Sequence, residues 1–187
     1  GNNDSNLKIT ANEVSKIEKP TVLDAYAGIA TFGICVSDVA EKVTSVEENS
    51  SSIQKAKEVL KSNNIKNVEL FAQDTLRYLK SIKKKFDIII LDPPRKGCTQ
   101  EVLDEVLRHL KSNHSKAESD EILRSAQNDA IAEGASKGKI IYVSCNPATL
   151  ARDLKYLTEH GAKVESIKPF DMFCHTYHIE NVAIINL

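Results

Sequence analysis

The chain has 187 residues, 41% apolar and 27% charged, which suits one soluble globular domain and leaves too little for two. Its 25 Lys and Arg against 26 Asp and Glu give a net charge of -1, which argues against a histone-like polycation or an acidic disordered tail. No apolar run approaches the roughly 18 residues of a membrane span, and the opening Gly1-Asn-Asn-Asp-Ser-Asn6 is no signal peptide.

Residues 1–19 are polar and read as a flexible segment that starts on Gly rather than Met, as in a processed or cut-down product. The first strand is expected at Thr21–Tyr26, followed by a small-residue turn at Ala27–Ala30 and a helix over about 31–41. A second strand follows at Lys42–Glu47. Asn49 or Ser50 then caps a helix whose Ile53, Ala56 and Leu60 form one apolar stripe. Val68–Ala72 is a third strand, and Asp74 caps a helix bearing Leu76 and Leu79. Phe86–Leu91 is a continuous apolar run, as in a strand buried on both faces. A helix near 99–111 comes next, then a polar insertion at about 111–138 that breaks the rhythm. Lys139–Ser144 resumes it, and Pro147 opens a helix that runs to about Glu159. Strands at 162–169 and 180–185 have no helix between them, so they should pair antiparallel. Five β–α units plus a hairpin describe an α/β, doubly wound, Rossmann-like sheet, mostly parallel, over residues 20–187.

In such sheets ligands bind beyond the carboxyl ends of the strands. Those ends carry Asp24–Gly28, Glu47, Asp74, Asp92–Arg95 and Ser144–Asn146: four with a carboxylate and one with a thiol. Gly28-Ile-Ala30-Thr-Phe-Gly33 is a degraded GxGxxG, and Glu47, 19 residues beyond Gly28, stands where a carboxylate accepts from ribose hydroxyls. The Ala30 methyl crowds a diphosphate more than it would S-adenosylmethionine, which carries no phosphate. Asp92-Pro-Pro-Arg95 is a stiffened loop. Arg95 and Lys96 there either clamp a nucleic-acid phosphate or remain a solvated surface. Cys145 lies directly before a helix N-terminus, whose positive end, helped by Arg152, would favour thiolate. Cys98 is a rival thiolate, and Cys35 reads as core. Asp171, Cys174, His175 and His178 match no standard zinc spacing, so no metal is expected. They read instead as a loop over the site, with Glu180 as proton acceptor. The four cysteines lie far apart without a CxxC, as in a reducing, cytosolic setting.

Together, Val22–Gly33, Val46–Asn49, Asp87–Gly97, Tyr142–Asp153 and Asp171–Glu180 resemble the S-adenosylmethionine-dependent RNA uracil-5-methyltransferases. The resemblance implies a class I methyltransferase fold and methylation of a uridine at C5 in tRNA or rRNA. It also implies Cys145 as the nucleophile that adds to C6 and Glu180 as the base that removes the C5 proton. Tyr26, Gly28, Thr31, Glu47, Asp74 and Asp92 fall at positions where the family contacts S-adenosylmethionine. Ala27 and Ala30 stand for the family's usual Cys and Gly, and Cys174 stands for its usual Pro. The family's upstream RNA-binding region, often a small β-barrel, has no counterpart in these residues. The expectation is therefore a monomeric catalytic domain whose RNA affinity lies largely in a missing upstream part. Two alternatives remain: a relative that binds cofactor without activity on its own, and a cytosine-5 RNA methyltransferase.

Overall fold

A computed structural model describes residues 18–110, 138–172 and 179–187. Most of the N-terminal segment, residues 111–137 of the insertion and residues 173–178, with Cys174, His175 and His178, lie outside the described residues.

The strands expected from β-branched runs form where those runs stand. They are β1 (Thr21–Ala25), β2 (Lys42–Glu47), β3 (Val68–Ala72), β4 (Ile88–Leu91), β5 (Lys139–Ser144), β6 (Lys163–Phe170) and β7 (Glu180–Asn186). Between them lie α1 (Thr31–Cys35), α2 (Ser50–Ser62), α3 (Thr75–Ser81), α4 (Gln100–His109) and α5 (Pro147–Glu159). One seven-stranded sheet runs β3-β2-β1-β4-β5-β7-β6. β1 to β5 are mutually parallel, and β7 inserts antiparallel between β5 and β6. This is the expected doubly wound sheet with its terminal antiparallel pair. The strand order reverses between β1 and β4, which opens a crevice beyond their carboxyl ends.

Both faces of the sheet are covered at its centre, while the edge strand β6 stays largely exposed. Leu23, Ile89, Leu91, Tyr142 and Ile185 share one core with Leu79, Leu103 and Leu157 of the helices. Val22, Val43 and Ile90 form a second core with Leu60 and Val68. Burying strands on both faces explains the unbroken apolar run at β4, where Ile89, Ile90 and Leu91 are all buried.

Two expectations change. The helix expected over 31–41 stops at Cys35. The chain then tightens, because Ser37 N and Oγ both donate to the Ile34 carbonyl, at 3.2 and 2.7 Å. Cys35 is consequently exposed rather than core. The fourth strand starts at Ile88 rather than Phe86. Asp87 is diverted to accept from Thr21 N and Oγ1 at 2.8 and 2.7 Å, and Phe86 bridges to Leu110 instead.

Gly33 is required by close packing. A Cβ there would stand 2.4 Å from Ser45 Oγ and 2.9 Å from Asp24 Oδ2. Its N–H donates to Asp24 at 2.9 Å, which draws α1 onto the strand ends.

Candidate functional site

A cleft of about 400 Å³ lies at the carboxyl ends of β1 to β4, lined by Tyr26, Glu47, Asp74, Asp92, Lys96 and Thr99 among others. Tyr26 enters the cleft from the turn after β1, where Tyr26, Gly28 and Ala30 all take positive φ (61°, 55° and 62°). Residues with side chains rarely adopt this conformation, so surrounding structure must hold it. Glu47 does so from β2: Oε2 accepts from Gly28 N at 2.9 Å and Oε1 accepts from Asn49 N at 2.8 Å. Beneath it, Asp24 is fully buried. Its Oδ2 accepts from Gly33 N and Ser45 Oγ, while Oδ1 has no protein partner. Loss of hydration dominates over those bonds and raises the Asp24 pKa to about 6.

Asp74 caps α3 by accepting from Arg77 N at 2.9 Å and keeps an exposed carboxylate on the cleft wall. Asp92 follows β4. Part of its surface is open to the cleft, but the protein crowded around its carboxyl withholds solvation. That effect, with the Glu180 charge second, raises its pKa to about 6. Cleft walls carrying Glu47, Glu48, Asp74 and Asp92 against Lys96 make it strongly electronegative.

Cys145 is half-buried in the turn between β5 and α5. Asn146 N donates to Ser144 Oγ at 3.1 Å, closing the chain around it, and Asn146 Oδ1 accepts from Ala148 N and Thr149 N at 3.0 and 3.4 Å. Glu180 opens β7. Ser144 pairs with Asn181 at the end of the β5–β7 ladder; Cys145 follows Ser144 in the turn, and Glu180 precedes Asn181 on β7. The buried Asn181 reinforces this end, its Nδ2 donating to Ser144 O at 3.4 Å and Ile179 O at 3.1 Å.

The loops carrying Asp92 and Cys145 are stapled together. Asn146 Nδ2 and Thr149 Oγ1 donate to the Arg95 carbonyl at 3.3 and 3.2 Å. Behind them, buried Asp153 accepts from Tyr142 Oη at 2.5 Å, Cys98 N at 2.8 Å and Arg152 Nε at 2.8 Å. Arg152 also donates to the carbonyls of Lys96 and Cys98, at 2.9 and 3.0 Å. Gly97, at φ 73°, leaves room for this knot: a Cβ there would meet Asp153 Oδ2 at 2.5 Å.

Of the residues singled out in the sequence, Tyr26, Glu47, Asp74 and Asp92 line one cleft, while Gly28, whose N–H donates to Glu47, is not among the lining residues. Thr31 is exposed at the start of α1 and is not among the residues lining the cleft. Two further expectations fail. Arg152 spends its donors on Asp153 and on two carbonyls of the Asp92 loop, so it braces the loop rather than assisting a thiolate. Cys98 is buried, and that burial pushes its thiol up to about 12, which removes it as a rival nucleophile. Sequence reasoning missed Asp153, Tyr142, Asn181 and Thr99. Only Thr99 had a local signal, as the N-cap of α4, where its side chain accepts from Val102 N.

Among known proteins, the chain is 36% identical over 188 residues to an uncharacterized RNA methyltransferase of Thermotoga maritima, covering 97% of this chain and 37% of that protein. A Clostridium tetani protein of the same description is 34% identical over 175 residues, covering 94% and 33%. The chain thus spans about a third of the length of the curated relatives it matches. Among solved structures, the Pyrococcus abyssi tRNA (uracil-54, C5)-methyltransferase in complex with S-adenosyl-L-homocysteine superposes with a TM-score of 0.65. It is 30% identical, covering 88% of this chain and 33% of that one. The profile of the family described as Conserved hypothetical protein 95 matches residues 5–157, and with most of its length so matched the chain belongs to that family.

Proposed function

We propose that the chain is the catalytic part of an S-adenosylmethionine-dependent RNA methyltransferase that acts on C5 of a uridine in tRNA or rRNA, with Cys145 as nucleophile and Glu180 as base. The observation that carries the reading is the register at the end of β5. Cys145 and Glu180 are the first residues beyond the Ser144–Asn181 pair, and Asp92 is close enough to feel the Glu180 charge.

The cleft suits the cofactor. Its cluster of carboxylates would repel a dinucleotide diphosphate, whereas S-adenosylmethionine brings a cationic sulfonium and an ammonium group. Each Glu47 oxygen retains a lone pair after accepting one backbone N–H, as ribose hydroxyls would require. When bound, the cofactor supplies the electrophilic methyl group that uracil C5 takes. Uracil C5 is a weak nucleophile, and this chain's residues must activate it. The Cys145 thiolate would form a bond to C6, shifting the 5,6 electron pair onto C5 and O4. Once C5 is alkylated, Glu180 would take its proton. The freed pair would restore the double bond and expel Cys145 as thiolate.

Incubation with 5-fluorouridine-substituted tRNA and rRNA transcripts plus S-adenosylmethionine tests this, because fluorine at C5 blocks the elimination. Wild-type protein should form a covalent complex stable on a denaturing gel. Cys145→Ala should form none, and Glu180→Gln should accumulate the complex on ordinary uridine RNA. Absence of a wild-type adduct, or its persistence in Cys145→Ala, overturns the reading. A complex formed on 5-fluorocytidine RNA alone would instead assign a cytosine substrate.

A further inference from the structure

The hairpin of β6 and β7 places a further residue directly beside Glu180 of the proposed reaction. In the β6–β7 ladder Phe170 lies directly opposite Glu180. On the other side of β7, Glu180 precedes Asn181, whose partner Ser144 ends β5, and Cys145 follows Ser144 in the turn beyond that last pair. Phe170 and Glu180 therefore share one cross-strand pair at the end of the sheet where β5 gives way to Cys145.

Phe170 is 45% exposed. Phe86, by contrast, is fully buried, and Phe32 and Phe71 pack against the two cores. Core packing thus accounts for those three rings and leaves Phe170 unexplained. One strand spacing, about 5 Å, separates Phe170 from Glu180. Residues directly opposite on neighbouring strands stand on the same face, so a base lying against the Phe170 ring also meets the Glu180 carboxylate. Two residues before Phe170, on the same face of β6, the exposed Lys168 offers a cation to a phosphate flanking such a base. An aromatic face flanked by a cation and a carboxylate is a combination that suits an unstacked nucleotide.

We propose that Phe170 is a substrate-contacting residue whose ring stacks on the target pyrimidine and fixes its plane beside Glu180. This rests on the roles proposed above for Cys145 and Glu180. A stacked ring orients C6 for thiolate attack perpendicular to the base and brings C5 over the Glu180 carboxylate. Flatness is what the role requires, so apolar bulk alone is no substitute.

The test compares Phe170→Ala, Phe170→Leu and Phe170→Tyr with wild type in the 5-fluorouridine adduct assay. The half-saturating RNA concentration should rise about 5- to 150-fold in Phe170→Ala, equivalent to the ~1–3 kcal/mol of one base–aromatic stack. Tyr should restore near-wild-type behaviour and Leu should not. The chain contains no Trp, so Phe170→Trp introduces its one tryptophan, excited selectively at the red edge of tyrosine absorption, whose emission oligouridine should quench and an abasic ribose-phosphate oligomer should not. Leu performing as well as Phe, or equal quenching by the abasic oligomer, overturns the proposal while a wild-type adduct leaves the Cys145 reading standing. Absence of any wild-type adduct overturns both.

Discussion

On the β1–β3 side of the cleft the polar side chains are held by partners no more than 21 residues away in the chain, while on the β4–β5–β7 side local caps are joined by partners 37 to 55 residues away. Glu47 binds Asn49 N, Asn49 binds Ser51 N, and Asp74 binds Arg77 N, all within three residues; Asp24 to Gly33 and Ser45, at 9 and 21, and Glu47 to Gly28, at 19, are the longer bonds. Across the cleft, Asn181 reaches Ser144 over 37 residues, Asn146 and Thr149 reach Arg95 over 51 and 54, and Asp153 reaches Cys98 over 55. Short-range bonds form together with their helix or turn. Long-range ones exist only once β4, β5 and β7 lie side by side, and so they report the whole sheet. The proposed cofactor side is therefore assembled from local modules and the proposed reaction side from tertiary staples, which predicts different responses to mutation.

The largest effect is expected at the knot behind the reaction side. Asp153→Ala strands the Tyr142 hydroxyl and the Cys98 N–H in the core and leaves Arg152 without its carboxylate. Urea unfolding should show a loss of about 3–5 kcal/mol, with a matching fall in 5-fluorouridine adduct at temperatures where the variant remains folded. A loss no larger than that of a helix-cap variant would erase the contrast between the two sides.

Asp24 sharpens the comparison from the other side through pH. Its pKa rises from 3.8 to about 6 on folding, so the folded state holds the proton more tightly than the unfolded chain. Stability should accordingly decline as pH rises from about 4 to about 6 and level off above that, by up to about 3 kcal/mol. Asp24→Asn keeps an acceptor for Gly33 N and removes the buried charge, so urea midpoints measured across this window should lose most of their slope. An unchanged slope would locate the proton uptake elsewhere. Asp92 contributes in the same direction but less, because its carboxyl keeps contact with solvent.

The smallest effect belongs to a local module. Asn49 caps α2 by accepting from Ser51 N at 2.9 Å and Ser52 N at 3.4 Å. Asn49→Ala should cost about 1 kcal/mol in thermal or urea melts. The fluorouridine adduct yield should remain at the wild-type level.

The same division separates what could be read in the chain from what could not. The strand boundaries at β2, β3 and β5 and the helix α5 match their sequence patterns residue for residue. The caps at Asn49, Asp74 and Asn146 follow from residue type, because an Asx side chain is the right length to reach an N–H two or three residues on. Glu47 was visible by its distance from Gly28. Misreadings gathered where tertiary contacts override periodicity: α1 is cut to five residues by the pull of Ile34 on Ser37, and Phe86 leaves the strand to bridge Leu110. Cys98 and Arg152 looked reactive as isolated residues. Burial and the Asp153 knot gave them structural roles instead.

By itself, the amino-acid sequence determined the alternation of buried strands with covering helices and the presence of carboxylates and a thiol at the strand ends. Apolar periodicity and local hydrogen bonding are properties of a few consecutive residues, and they survive without knowledge of neighbours. Only the tertiary structure decided that β7 lies between β5 and β6, which brings Glu180 to the end of β5 and sets Phe170 opposite it. Strand order depends on which edges meet when the whole sheet closes, and no local pattern encodes that choice.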